Sequence, residues 1–489
     1  MNVFKNVYVY LFLFVLIGLS VFLGVKEAIN YIILGLMTFL LILSFYFLIT
    51  YAYNLVVSLF GFKNLKRDYD IIEDKTKFLL LVAAHNEENV IRETIRNLKE
   101  IDYDKNLFEI CIVSDNSTDN TTRIAIEENV RVIDTIEGKF EREGVGKPAG
   151  LQYALRSLGF DNVKEKYDMV LVLDADNFVS KNILKEVNSQ FIAKNKPEVI
   201  QTYLDSKNYN SLMSLAYSAV FWTNNKFMQA ARYRLKLPNS IGGTGFCVTT
   251  KYLIDSGGFN YKTLTEDLEM EIEIILNNGR VLWNDFASIY DEKPDKLKTS
   301  MIQRFRWAKG HFYVGFKNFI PLLKMFFKTF NIKYLDKLFF LMTMGRSAHF
   351  IIMSFVVLLQ GVYLLLNDKY MVIIENMSME RFPTLLNDNF LFLSLFNILL
   401  LSYSFLFLPL YAINNKIRNK NVIRNSIAFL YYVISDFVVQ TYALIKWKEQ
   451  SNWVRTPHVK KEIEELEENE ILTKQNLGDG KDDEEIRFS

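Results

Sequence analysis

The sequence predicts an α/β domain, a mostly parallel sheet with helices on both faces, inserted between α-helical transmembrane segments. Three observations carry this. Short apolar runs alternate with helix-like stretches from Lys77 to Phe191, the pattern of a parallel sheet covered by helices. Long apolar stretches rich in Phe and Leu crowd into both ends of the chain, while the middle has an ordinary soluble composition. Clusters of Asp, Asn and Glu follow the apolar runs, where the ligand edge of such a sheet lies.

The 489 residues are 50% hydrophobic and carry a net charge of +1. Balanced charge leaves no electrostatic footprint for nucleic acid. The two cysteines, Cys111 and Cys247, sit inside strand-like runs without metal-ligand spacing and are expected in the core. No cleavable signal peptide is expected, because the first apolar stretch lacks a small-residue cleavage site and a second follows at once.

A spanning helix needs about 20 mostly apolar residues. Tyr8 to Val25 and Tyr31 to Phe60 meet this and form an N-terminal hairpin within residues 1–62. Leu338 to Leu366 and Phe390 to Ile413 are the next spans. The loop Asn414 to Arg424 holds Lys416, Arg418, Lys420 and Arg424 without an acid, whereas Asn367 to Asn389 is mostly acidic. The positive-inside rule puts the first loop, and with it the central domain of residues 63–311, in the cytoplasm. The chain then reads as a multi-pass plasma-membrane protein. Residues 312–337 read as amphipathic helices on the membrane surface. Ser426 to Trp447 is long enough to span but carries Asp436 and Gln440 at its middle, so a re-entrant or interfacial segment is preferred within residues 338–447. Residues 448–489 form a charged cytoplasmic tail.

Strands are expected at Phe78 to Ala84, Ile110 to Val113, Arg131 to Ile133 and Met169 to Leu173. The first ends in His85-Asn86-Glu87-Glu88, the second in Ser114-Asp115-Asn116, the fourth in Asp174-Ala175-Asp176-Asn177. Helix capping explains single Asn, Ser and Asp residues at such ends. It does not explain two Asp in alternation, which can hold one hard divalent cation together with phosphate oxygens. Lys147, in a Gly-rich segment that lacks P-loop spacing, either opens a flexible loop or places a cation beside a helix N-terminus, where a diphosphate binds. Glu266 and Asp267 either satisfy a helix dipole or supply a general base. Gln303, Arg306 and Trp307 either anchor an interfacial helix or line a sugar site.

In this order Asn86-Glu87, Asp115, Asp174-x-Asp176, Thr265-Glu266-Asp267 and Gln303-x-x-Arg306-Trp307 resemble the signature of membrane-integrated family 2 glycosyltransferases, the processive synthases of cellulose, hyaluronan, chitin and poly-N-acetylglucosamine. The resemblance runs from about Phe78 to Trp307. It implies a nucleotide-sugar-binding domain of the GT-A type, with Asn86, Glu87, Asp115, Lys147, Asp174 and Arg306 at the donor. Asp176 and Asp174 would hold Mg2+ or Mn2+. Asp267 would be the base, with Glu266 beside it. Gln303, Trp307, Gly243 and Thr244 would face the acceptor. Trp453, Arg455 and Thr456 are similar to short Trp-Thr-basic segments that cap the donor site in these synthases.

The implied activity is inverting polymerisation of a β-linked polysaccharide from a UDP-sugar, UDP-glucose ahead of UDP-N-acetylglucosamine, with export through the bilayer. Transfer of one sugar to a lipid acceptor is the alternative, and a non-catalytic transporter or scaffold the remaining one.

Overall fold

The computed structural model describes residues 26–135, 140, 142, 146–343, 345–365, 388–417 and 421–450. The expected span at Tyr8 to Val25, the acidic loop before Asp388, the donor-capping residues Trp453, Arg455 and Thr456, and the charged tail lie outside them.

Helix α1 (Lys26–Leu59) leads into the globular part. There β1 (Phe78–Ala84), α2 (Ile91–Lys99), β2 (Phe108–Ser114), α3 (Thr121–Glu127), β3 (Arg131–Asp134), α4 (Lys147–Leu158), α5 (Phe160–Lys166) and β4 (Met169–Asp174) follow one another. Next come β5 (Phe178–Val179), α6 (Ile183–Ala193), β6 (Val199–Ser206) and α7 (Leu212–Asn224), which continues through a π-helical turn into α8 (Ala231–Arg234). The domain closes with β7 (Phe246–Thr249), α9 (Thr250–Asp255), α10 (Glu266–Leu276) and β8 (Val281–Asp291). Beyond it run α11 (Leu297–Thr329), α12 (Ile332–Met342), α13 (Arg346–Leu365), α14 (Asp388–Ser402), α15 (Leu408–Lys416) and α16 (Val422–Lys446).

The eight strands form one sheet in the order β3-β2-β1-β4-β7-β6-β8-β5. β1 is parallel to β2 and β4, and β2 to β3, as the alternation predicts. The second half is mixed: β7 runs antiparallel to both β4 and β6, while β6 and β8 are parallel. The reversal of β7 matters for the site. It makes β7 begin at the edge where β4, β6 and β8 end, so residues 241–245 arrive at the ligand edge.

The strand core is buried on both faces, which is why its sequence does not alternate. Leu80 and Val82 of β1 pack with Ile91, Ile95 and Val187 on one side. Leu79 and Leu81 pack with Leu151, Leu155 and Ile274 on the other. Cys111 and Cys247 are buried free thiols in these same layers, as expected.

The helices after the sheet divide differently from the sequence reading. The stretch expected as a separate surface helix from Phe312 is the second half of α11, one helix of 33 residues that already contains Gln303, Arg306 and Trp307. Its Val314 and Leu322 pack on Leu268, Ile272 and Ile275 of α10 and on Tyr334 and Leu338 of α12. The span expected over Leu338 to Leu366 breaks: α12 and the start of α13 meet at 64°, with Gly345 at φ 75° in the junction. Glycine takes that left-handed conformation without a Cβ penalty. His349 is buried between α1 and α13, its ring stacked 3.7 Å from Phe47 and its Nδ1 3.1 Å from the Tyr51 hydroxyl.

Among the described residues, α1, α14–α15 and α16 are long and apolar enough to cross a membrane. α16 is unbroken, and Asp436 in its middle is partnered. Arg304 donates to Ser435 Oγ (2.8 Å) and Asp436 Oδ1 (3.4 Å), and Ser347 donates to Asp436 Oδ2 (3.0 Å). Both ends of α16 are bonded to the globular domain or to α11. Arg424 donates to the Asn210 carbonyl (2.6 Å) at one end. Beyond the other end, Gln450 Oε1 accepts from the Leu264 amide (3.0 Å) and Lys309 donates to the Glu449 carbonyl (2.7 Å).

Candidate active site

The acids singled out from the sequence meet at the carboxyl edge of the sheet. β4 ends in Asp174, whose Oδ1 accepts from Lys147 Nζ at 2.5 Å. The same Nζ donates to the Gly243 carbonyl at 2.8 Å. Lys147 opens α4, with Gly146 at φ 72° and Pro148 in the first helical turn, so the cation stands at a helix N-terminus. Gly243, at φ 79°, lies against Asp267: a Cβ there would be 3.3 Å from Asp267 Oδ2. Thr244 Oγ1 accepts from the Asp174 amide (3.2 Å) and donates to Asn177 Oδ1. One lysine and one glycine loop thus join the end of β4 to the start of α10.

Glu266 and Asp267 open α10. Both residues are half-buried. Burial raises the Asp267 carboxyl, and the neighbouring Glu266 charge raises it further, to about 7. Burial also raises Glu266, against the attraction of Lys147 and Arg306. A carboxyl poised near neutrality is what a general base requires. The charge of Arg306 on α11 thus acts on Glu266 together with that of Lys147. α11 can come this close because residue 310 is glycine, where a Cβ would stand 2.5 Å from Thr265 Oγ1.

The other residues of α11 form an aromatic wall with α7. Tyr217 donates to Gln303 Oε1 at 2.5 Å. The Trp307 ring lies 5.9 Å from Tyr217 and 6.3 Å from Phe221, centre to centre. Lys293 sits 3.3 Å over the Phe221 ring and 2.6 Å from Asp291 Oδ1.

At the end of β2, Asp115 is held by a bidentate pair with Arg142 and by Thr135 Oγ1 at 3.0 Å. α4 packs tightly on it, since a Cβ on Gly150 would be 2.9 Å from Asp115 Cγ. Asn86, at φ 56°, accepts from the Thr118 amide at 2.6 Å, fastening the turns after β1 and β2 together. Glu87 is buried beside it, its amide donating to Thr121 Oγ1 at 2.7 Å.

Asp176 is buried, and its carboxylate accepts from the Glu292 amide (3.2 Å) and from Asn177 Nδ2 (3.2 Å). Burial lifts the Asp291 carboxyl at the end of β8 to about 6, with Asp176 and Asp174 adding to the lift against the opposing charge of Lys293. Lys207 is drawn down to about 8 by burial, against the attraction of Asp176, Glu292 and Asp291. Among the described residues no three His, Cys, Asp or Glu side chains are gathered into a metal cage. The arrangement nevertheless fits a magnesium-like ion, which needs only one or two carboxylates and completes its shell with phosphate and water. The negative charges of Asp176 and Asp174, which lift Asp291, are of the kind that a divalent cation relieves.

The structure therefore gathers Lys147, Asp174, Gly243, Thr244, Glu266, Asp267 and Arg306 into one cleft, with Asp115 beside it at the start of α4. Arg142, Lys207, Asp291, Lys293 and Glu271 of α10 were not singled out from sequence. Asp291 and Lys293 follow the last strand, so the strand-end rule reaches them once β8 is assigned. Arg142 and Glu271 carry no local signal.

Residues 76–310 match the family model described as "Glycosyltransferase like family 2". The chain is 27% identical over 269 residues to the probable glycosyltransferase YdaM of Bacillus subtilis, covering 54% of this chain and 61% of that one. It is 30% identical over 243 residues to a beta-monoglucosyldiacylglycerol synthase of Synechocystis, covering 47% of each. It is 25% identical over 266 residues to the poly-beta-1,6-N-acetyl-D-glucosamine synthase of Staphylococcus aureus, covering 53% of this chain and 61% of that one. The chain thus spans about half to three-fifths of the length of these relatives. Residues 76–310 are thus similar to family 2 glycosyltransferases, and they fold as a mixed sheet with helices on both faces and acids on its carboxyl edge.

Proposed function

We propose that the protein is an inverting, metal-dependent glycosyltransferase that polymerises a β-linked polysaccharide from a UDP-sugar at the cytoplasmic face of a membrane. The observation that supports this is the link from Asp174 through Lys147 and Gly243 to Asp267, a cation at a helix N-terminus beside a candidate base.

Asp115 and the turn at Asn86-Glu87 bound the nucleoside end of the cleft. Lys147, at the α4 N-terminus, and Arg306 face the diphosphate. Asp176 and Asp174 would hold Mg2+ or Mn2+, which supplies charge neutralisation to the leaving diphosphate when bound. Asp267 accepts the proton of the acceptor hydroxyl. The hydroxyl oxygen forms its bond to the anomeric carbon as the bond to the diphosphate oxygen breaks, and the diphosphate leaves with the electron pair. Attack from the opposite face turns an α-linked donor into a β-linked product. Trp307, Tyr217 and Phe221 give the acceptor sugar an apolar face to stack on.

Several features support a membrane-coupled synthase. Lys416 and Arg424 mark the cytoplasmic ends of α15 and α16. A helix with both ends bonded to the cytoplasmic domain and its neighbour α11 fits better on the membrane surface than across the bilayer, and this is how we place α16. The aromatic wall is then roofed by helices at the membrane.

A second reading, transfer of one sugar to a diacylglycerol-type lipid, draws on the 30% identity to the Synechocystis enzyme. Product length separates the two. Purified full chain, given UDP-glucose, UDP-N-acetylglucosamine and other UDP-sugars with Mg2+ or Mn2+, is expected to release UDP with one donor and build a ladder of long products. A single sugar on added diacylglycerol would instead establish the second reading. UDP release with none of the donors would overturn both.

A further inference from the structure

Beneath the cleft lies a network of buried charges that the transfer chemistry does not use. Arg232 of α8, Glu271 of α10, and Asp336 and Lys337 of α12 are each 1% exposed or less. Lys337 Nζ is 2.7 Å from Glu271 Oε1, and Arg232 Nε is 3.0 Å from Asp336 Oδ1. Tyr53 of α1 donates to Asp336 Oδ1 at 2.6 Å. The network therefore ties a membrane helix to the helix that carries Asp267.

Its connections converge on the loop that faces the base. Glu271 lies one helical turn after Asp267, and its Oε2 accepts from the Ile241 amide at 2.8 Å. Lys337 also donates to the Asn239 carbonyl and Ser240 Oγ, both at 3.1 Å. Three residues after Ser240, Gly243 lies against Asp267 and its carbonyl accepts from Lys147. One ion pair thus grips both the helix of the base and the loop that packs against it.

Buried ion pairs contribute little net stability, because desolvation offsets their attraction, so a well-packed apolar pair of similar volume replaces them at small cost. What an apolar pair loses is the directional hold on the Ile241 amide and the Asn239 carbonyl.

We infer that Lys337 and Glu271 are positioning residues that fix Asp267 against the Gly243 loop, and that the Asp336–Tyr53 contact makes this alignment answer to the membrane helix α1. The inference rests on Asp267 being the base.

The test uses the full chain in lipid nanodiscs. The double variant Lys337→Met/Glu271→Met removes both charges together and avoids leaving either one buried and unpaired. It is expected to keep the thermal midpoint and the donor KM close to wild type while kcat falls about tenfold or more, the scale of a slight misplacement of a reacting group. Lys337→Arg, which keeps the charge, is expected to retain most of kcat. Tyr53→Phe removes one hydroxyl and no charge, and is expected to lower kcat without changing KM. Wild-type kcat in the double variant would overturn the positioning role and wild-type kcat in Tyr53→Phe the link to α1, while parallel losses in donor KM and thermal midpoint, which mark a merely structural role, would overturn both. Asp267→Asn is measured alongside. An inactive Asp267→Asn with a fully active double variant defeats the positioning inference alone, whereas an active Asp267→Asn defeats the assignment of the base.

Discussion

Asp267→Asn is expected to lower the rate of sugar transfer by about a thousandfold, the contribution of a well-placed general base. The amide is isosteric, so the contact with Gly243 survives and the lost function is proton acceptance alone. Donor affinity should remain within a few-fold of wild type, because the proposed diphosphate contacts, Lys147 and its partner Asp174, are untouched. Steady-state kinetics with isothermal titration of UDP separates the two effects.

The same residue sets a pH dependence. In the free enzyme the Asp267 carboxyl is lifted to about 7 by burial and by the charge of Glu266. A base works only when deprotonated, so kcat/KM is expected to rise with pH through neutrality and to fall on the acid side. The limb belongs to the Glu266–Asp267 pair rather than to either residue alone. Glu266→Gln removes the neighbouring charge and should move it to lower pH. A limb unmoved by Glu266→Gln would break the assignment.

The second large effect is expected at Asp176. Asp176→Asn keeps an oxygen to accept from the Glu292 amide, so the fold around β8 should hold. It removes a negative charge from the pair proposed to hold the metal. Activity is expected to drop by about a hundredfold or more at a fixed metal concentration, consistent with loss of a metal's charge stabilisation. The concentration of Mn2+ or Mg2+ that gives half-maximal nucleotide binding should rise in calorimetry. If nucleotide binding keeps its metal dependence in this variant, the metal is held elsewhere.

How far the molecule could be read from its sequence differs between its two halves. β1, β2 and β4 are legible because a strand buried on both faces is a largely apolar run that ends in turn-forming polar residues, while β3 is a short, partly exposed strand at the sheet edge. The later strands hide this signal. β6 carries buried Gln201 and Thr202 in its middle, and its register against β8 shifts between Thr202 and Tyr203. An antiparallel β7 of only four residues gives no helix-like crossover to mark it. The break after α12 was announced only by Gly345, inside an apolar stretch long enough to pass for one span.

The site shows the same division. Asp174, Asp176, Glu266 and Asp267 follow from strand and helix ends, where chemistry and backbone geometry coincide. Lys147 followed from its place at a helix start. Arg142 on Asp115 and Lys337 on Glu271 join residues 27 and 66 positions apart by their numbers. Nothing local in the chain announces such pairs; only the fold brings them together. Asp436 shows the reverse case. Its charge argued against a simple span, and Arg304 and Ser347 supply the partners that the argument called for.

The central claim is a single displacement at the anomeric carbon with Asp267 as base, and the stereochemistry of the product tests it most directly. Proton NMR of the first glycoside formed from an α-linked UDP-sugar should show the β anomer alone. An α-linked product would contradict an inverting displacement and with it the role given to Asp267.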